Sequence, residues 1–147
     1  MTKDVLISIE GLQFNGSPDA DRVEIITAGN YYKKNNRHFV TYEEIDEGSE
    51  EVTKNLLKFD GDVFSITKRG LTNVDMVFEE NKRNMTNYIT PYGSLLIGID
   101  ADKIDIDETD DKISIKIDYA LDINYEHMAN CKIRMDISSK NEDSFNL

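Results

Sequence analysis

The chain has 147 residues and a mass of 16.8 kDa, which suits one domain spanning 1–147 and is short for two. Surface scaling gives about 7,600 Å² folded against about 24,000 Å² extended, so about two thirds of the surface can leave water without staples. With 17 Lys and Arg against 29 Asp and Glu, the net charge of −12 excludes a general nucleic-acid binder and a ligand of anionic membranes. A single cysteine, Cys131, excludes a disulfide framework and a cysteine-rich zinc site. The opening MTKDVLISIEGLQF lacks the features of a secretory signal, and no apolar run approaches the roughly 20 residues of a membrane span. The expectation is a cytoplasmic protein. Ile and Val number 24 against 14 Leu and Ala, a mix that fits pleated strands better than helices.

In chain order, residues 3–10 place Val5, Ile7 and Ile9 on one side at a period of two, a strand signal. A loop with two glycines and Pro18 follows. The stretch 21–34 reads as a strand interrupted at Ala28-Gly29-Asn30, where Gly29 suits a bulge. Asn35-Asn36 turns it into a second strand, 37–46. The segment 51–62 has a mixed signal, helical through Val52, Leu56 and Phe59 or extended through Leu57 and Phe59. The hairpin turn expected at Asp60-Gly61 favours a strand. Further strands are expected around Val74, Met76 and Phe78, over 85–90, and over 94–101 after the turn Pro91-Tyr92-Gly93. From Ile113 to Tyr125 every odd position is apolar or aromatic, and Cys131, Ile133, Met135 and Ile137 repeat the pattern after a break at 126–130.

The result is an all-β domain of roughly nine or ten sequential strands with short connections and one polar face each, as antiparallel sheets allow. A sheet of that width curls, and closure removes its edges. A single antiparallel, mostly up-and-down β-barrel is therefore predicted, with a two-sheet sandwich as the alternative.

Three segments support a comparison beyond pattern: HFVTYEEIDEG at 38–48, KFDGDVFSITKRG at 58–70 and MVFEENKRNMTNYITPYGSLLIGI at 76–99. With YEE, FEE and TPYG in this order and spacing, nearly the whole chain resembles the DUF1934 family of small bacterial proteins. That resemblance implies a calycin-like, lipocalin-like barrel and brings no biochemical function with it. The chain has no tryptophan, so the Gly-x-Trp feature of typical lipocalins is absent.

Chemistry is sparse. Neither a glycine-rich phosphate loop nor a nucleophile elbow occurs, so no cofactor is expected and an enzyme is disfavoured. His38 and His127 lack ligand spacing and read as partly exposed polar residues, and Cys131 reads as barrel-lining. The acidic run 100–112 fails the EF-hand pattern and reads as a solvated edge strand and turn, so no metal is expected. Lys33, Lys34, Arg37 and His38 read as a solvated basic turn.

The best candidate site joins the pairs Glu43-Glu44 and Glu79-Glu80, one member of each pointing inward, with Arg69, Arg83, Tyr42, Tyr88 and Tyr92. Inward charges need partners because desolvation is costly, and a guanidinium beside tyrosines suits an amphipathic or anionic small molecule. The alternatives are a filled barrel with an internal polar network, serving as a structural or protein-interaction module, and an enzyme. Monomer and homodimer are equally compatible with the sequence.

Overall fold

The computed structural model describes residues 1–11, 24–45, 48 and 50–140. Ten strands occur among them: β1 (Asp4–Glu10), β2 (Glu24–Lys34), β3 (Arg37–Ile45), β4 (Val52–Phe59) and β5 (Val63–Arg69), followed by β6 (Val74–Glu79), β7 (Arg83–Thr90), β8 (Gly93–Glu108), β9 (Lys112–Ile123) and β10 (Glu126–Ser139). Chain neighbours pair antiparallel except β6 and β7, and β10 returns to β1 through Ile7 opposite Ile137, giving the order β6-β5-β4-β3-β2-β1-β10-β9-β8-β7. The sheet thus curls until its first and last strands, β6 and β7, meet. They are joined by one bridge, Asn73 with Ile89, whose two N–H···O bonds are 2.9 Å each. Below it Asn81 N–H reaches Ala101 O at 2.8 Å, and Glu80 accepts the Ile104 N–H at 2.8 Å where β8 runs on past β7. The barrel is nearly closed along this seam. No helix is long and apolar enough to cross a membrane.

The sequence alternation sets the inside. One wall shows three belts, read straight across the register. His38, Phe59, Phe64 and Phe78 form the lowest belt, Val40, Leu57, Ile66 and Met76 the middle one, and Tyr42, Asn55, Lys68 and Val74 the upper one. The lower belt is an aromatic ladder running from Tyr31 through its four rings to Tyr119, with successive centroids 4.8 to 6.2 Å apart. Full burial of each Phe ring contributes roughly 1.5–3 kcal/mol. The ladder fills the base of the barrel, where the turns 35–36, 60–62, 80–82 and 109–111 lie. The opposite end, the mouth, carries the turns 91–92 and 124–125.

Several sequence expectations change here. β2 is continuous through Gly29 with no register shift, so the predicted bulge is absent. The strand instead pairs β1 up to Asn30 and β3 from Asn30 onward, and Gly29 is needed because a Cβ there would lie 2.6 Å from Ile7 Cδ1 and 2.6 Å from Thr41 O. The irregularities lie elsewhere, between Ala101 and Lys103 and between His127 and Ala129. Within the acidic run Ile104 is buried while Asp105 and Asp107 face out, and residues 103–108 pair β9 alone, so this part is an edge. The Asn35-Asn36 turn is present, with φ of 53° and 63° at its two residues. Asparagine tolerates that left-handed geometry better than most residues. The predicted loop after β1 and the start of the 21–34 segment fall outside the described residues.

Candidate functional site

The upper belt is where polar side chains enter the interior. β4 alternates Thr53, Asn55, Leu57 and Phe59 inward, so Asn55 is buried with the core although it is polar. Opposite it, β5 turns Lys68 inward in phase with Phe64 and Ile66, and β3 turns Glu44 inward in phase with Val40 and Tyr42. Lys68 Nζ donates to Glu44 Oε1 at 2.7 Å and to Asn55 Oδ1 at 2.9 Å, and Asn55 Nδ2 donates to the same Glu44 oxygen at 2.8 Å. The Lys68 side chain is 13% exposed and that of Glu44 28%, so both open partly towards the mouth. Burial, then the nearby Glu44 charge, pushes the Tyr42 phenol far above its ordinary pKa; it stays a neutral hydroxyl.

Across the seam, the Asn73–Ile89 bridge sets Tyr88 level with Val74 and hence with this belt. Tyr88 is half-buried and packs against the core. Two inward positions further down β7, Asn84 Nδ2 is buried with no acceptor among the described residues. Above the polar belt Leu95, opposite Tyr88, is an exposed apolar residue on the inward face, and Tyr92 and Tyr125 stand on the adjoining turns, whereas Ile45, Val52 and Ile89 share the outward parity of Glu43 and Lys54 and lie on the outer wall. The mouth therefore presents a few apolar side chains over a polar network that is partly open to solvent.

Of the nine residues singled out from sequence, Tyr42, Glu44 and Tyr88 face this interior. Glu43 points outward across from Lys54. Arg69 also lies outside, where its guanidinium meets both Asp75 oxygens at 3.0 and 2.9 Å and holds that carboxyl below the usual range. Glu79 pairs with Lys82 at 3.2 Å, and Glu80 caps the β8 edge rather than a ligand site. Arg83 faces out and binds Asp122 and, at 3.2 Å, Asp100, a cluster that His127 joins at 3.7 Å from Asp122. Gly98 leaves the room for it, since a Cβ there would press on Met85 Sδ and the Arg83 guanidinium. Tyr92 is 99% exposed on its turn. No arginine from the predicted set reaches the interior; strand parity gives that place to Lys68.

Asn55 and Lys68 escape a reading that assigns polar residues outward. Their signal is parity, since each is two residues from an apolar residue of the core face. His38 also differs from expectation. It is buried, stacked on Phe59, and bridged by Tyr31 and Glu108. The Tyr31 hydroxyl lies 2.7 Å from Nδ1 and Glu108 Oε2 lies 3.2 Å from Nε2, which suits a neutral ring carrying its proton on Nε2. Burial lowers the His38 pKa against the opposing pull of Glu108, in keeping with that neutral form. Cys131 lines the barrel half-buried, and burial raises its pKa, which works against a nucleophilic role. Among the described residues no group of His, Cys, Asp and Glu is placed to hold a metal ion.

A wide open groove of about 800 Å³ lies outside the base, between Tyr31, Tyr32 and Lys33 on one side and Glu108 and Thr109 on the other. Its central charges are already matched, Lys33 to Glu108 at 3.4 Å and Glu108 to His38. At the mouth, among the described residues, one Lys68 proton and Glu44 Oε2 take no partner on the chain.

A family model described as a domain of unknown function, DUF1934, matches residues 7–135. Among solved structures, the crystal structure of the ywiB protein from Bacillus subtilis is similar, with a TM-score of 0.77, 18% identity, and 95% of this chain and 93% of that chain covered. No curated protein matches the chain.

Proposed function

The chain belongs to the DUF1934 family, and on that footing we propose that its barrel binds a small amphipathic molecule at the mouth. One observation carries this reading: the Glu44–Asn55–Lys68 network faces inward near the mouth, with Asn55 only 2% exposed and Tyr88 and Leu95 on the same inward face. Binding sites commonly combine apolar walls with a few converging polar groups, and this end has both. An eight-stranded barrel already leaves an interior that side chains can just fill, so ten strands leave more space. The aromatic ladder fills the base, so this reading places the guest at the other end.

The test uses four eight-carbon amphiphiles: octanol, octanoate, octylammonium and octanamide. Each is titrated into the isotope-labelled protein, and backbone and side-chain amide shifts are followed by NMR. The expected result is saturable shifts at Tyr42, Asn55, Lys68 and Tyr88 with at least one compound, while the base around His38 and Phe59 stays still. If none of the four moves the mouth residues, the binding reading is wrong.

A further inference from the structure

We infer that the guest in the mouth carries an uncharged head group offering a carbonyl acceptor and an N–H donor side by side, as an amide or lactam does, attached to an apolar body. This rests on the binding reading above and adds the chemical class of the ligand. An ammonium has three donors, and Lys68 uses two, on Glu44 Oε1 and Asn55 Oδ1. The third has no acceptor among the described residues. Glu44 Oε1 takes donors from both Lys68 and Asn55, whereas Oε2 takes none among the described residues. What remains for a guest is one N–H and one carboxylate oxygen, neighbours on the same network.

The charges of the network cancel, which separates the candidate head groups. A carboxylate drawn to Lys68 meets the free oxygen of Glu44, and an ammonium drawn to Glu44 meets Lys68. Either leaves a like charge in contact at a partly buried pair, where water screens less than at the open surface. An amide instead gives its carbonyl to Lys68 and its N–H to Glu44, so both partly buried groups are satisfied. Asn55 prevents an easy escape, because it holds Glu44 with Nδ2 and Lys68 with Oδ1 and so fixes their spacing around a side chain that is 98% buried. The net charge of −12 adds a long-range bias against anions. Tyr88 and Leu95 on the inward face, with Tyr92 and Tyr125 on the adjoining turns, supply contact for the rest of the molecule.

The same eight-carbon series tests this, with affinities taken from the NMR titrations. Octanamide is expected to bind wild type about tenfold tighter than octanoate or octylammonium. Glu44→Gln is expected to bring octanoate level with octanamide or ahead of it, because the repelling oxygen is gone while Lys68 stays charged. Lys68→Gln is expected to favour octylammonium by the same argument. Saturable shifts at the mouth with octanoate or octylammonium ahead of octanamide in wild type would overturn the head-group assignment and leave the binding reading standing. Failure of all four compounds would overturn the binding reading itself. Because the wild-type ranking is decisive by itself, the assignment stays testable even if a variant does not fold.

Discussion

Replacing Lys68 by Met keeps an unbranched stem of similar length and removes only the ammonium. Two consequences can be weighed from the structure. Asn55 Oδ1 loses its donor in a residue 2% exposed, and a buried acceptor without a donor costs about 1–3 kcal/mol. Glu44 keeps the Asn55 Nδ2 bond but loses its counter-charge. Breaking a fully buried pair costs about 3–5 kcal/mol, and the 28% exposure of the Glu44 side chain reduces that, because water reaches it. Better burial of the apolar methionine stem offsets part of the loss. The net expectation is about 2–3 kcal/mol of destabilisation. The assay is urea unfolding at neutral pH and moderate salt, followed by far-UV circular dichroism because the chain has no tryptophan. A triple variant, Glu44→Leu with Asn55→Leu and Lys68→Met, supplies the control. Removing every member leaves no stranded group, so it is expected to unfold at a higher urea concentration than Lys68→Met alone. A single-variant loss below about 0.5 kcal/mol, in the range of ordinary surface substitutions, would show that the network is not buried as described. So would a triple variant weaker than the single one.

Two further expectations concern the base and the strand walls. His38 titrates near 6.5 when unfolded and lower when folded, so the unfolded chain takes up its proton first as pH falls. Stability from this group is therefore complete above about pH 7 and declines as pH drops below about 6.5. The urea midpoint of wild type should fall over that window and that of His38→Gln should fall less; equal slopes would remove His38 as the cause. At the glycines, Gly29→Ala drives a Cβ to 2.6 Å from the Thr41 carbonyl oxygen, which cannot move without disturbing the β2–β3 ladder. Gly98→Ala meets only the movable ends of Met85 and Arg83, at 3.0 to 3.3 Å. The first should cost about 1–3 kcal/mol and the second under about 1 kcal/mol, and equal thermal shifts would refute the distinction.

Much of the barrel is legible because alternation is a local property. The odd positions from Ile113 to Leu121 are all buried, but the turn expected at 126–130 falls earlier, at Asn124-Tyr125, and residues 126–130 already belong to β10. Closure is not local. Nothing near Ile7 signals that Ile137, at the far end of the chain, will pair beside it, and nothing in Glu80 signals that its carboxylate will stand in for a missing strand partner. The site is half legible for a related reason. Parity places Tyr42, Glu44 and Tyr88 inward, yet the same parity puts Arg69 and Arg83 outside and Asn55 and Lys68 inside. Residue type favours arginine for recognition, and strand phase overrides it. His38 shows the same conflict: its neighbours in KKNNRH are basic and solvated, but two-residue spacing from Val40 and Tyr42 commits it to the core.

The two ends of the interior show why the open atoms at the mouth bear on function. A buried polar network that serves only to hold strands in register is most stable when every donor meets an acceptor. The His38 pair meets that standard: both ring nitrogens are engaged, and Glu108 places one oxygen on His38 and the other on Lys33. The mouth network lies further along β3 and on β4 and β5, and its Asn55 is as buried as the core. There, among the described residues, a Lys68 proton and Glu44 Oε2 take no partner on the chain. A guest that brings an acceptor to Lys68 and a donor to Glu44 completes that network around the fixed Asn55, which is why these two atoms, and not the already matched His38 pair, bear on function.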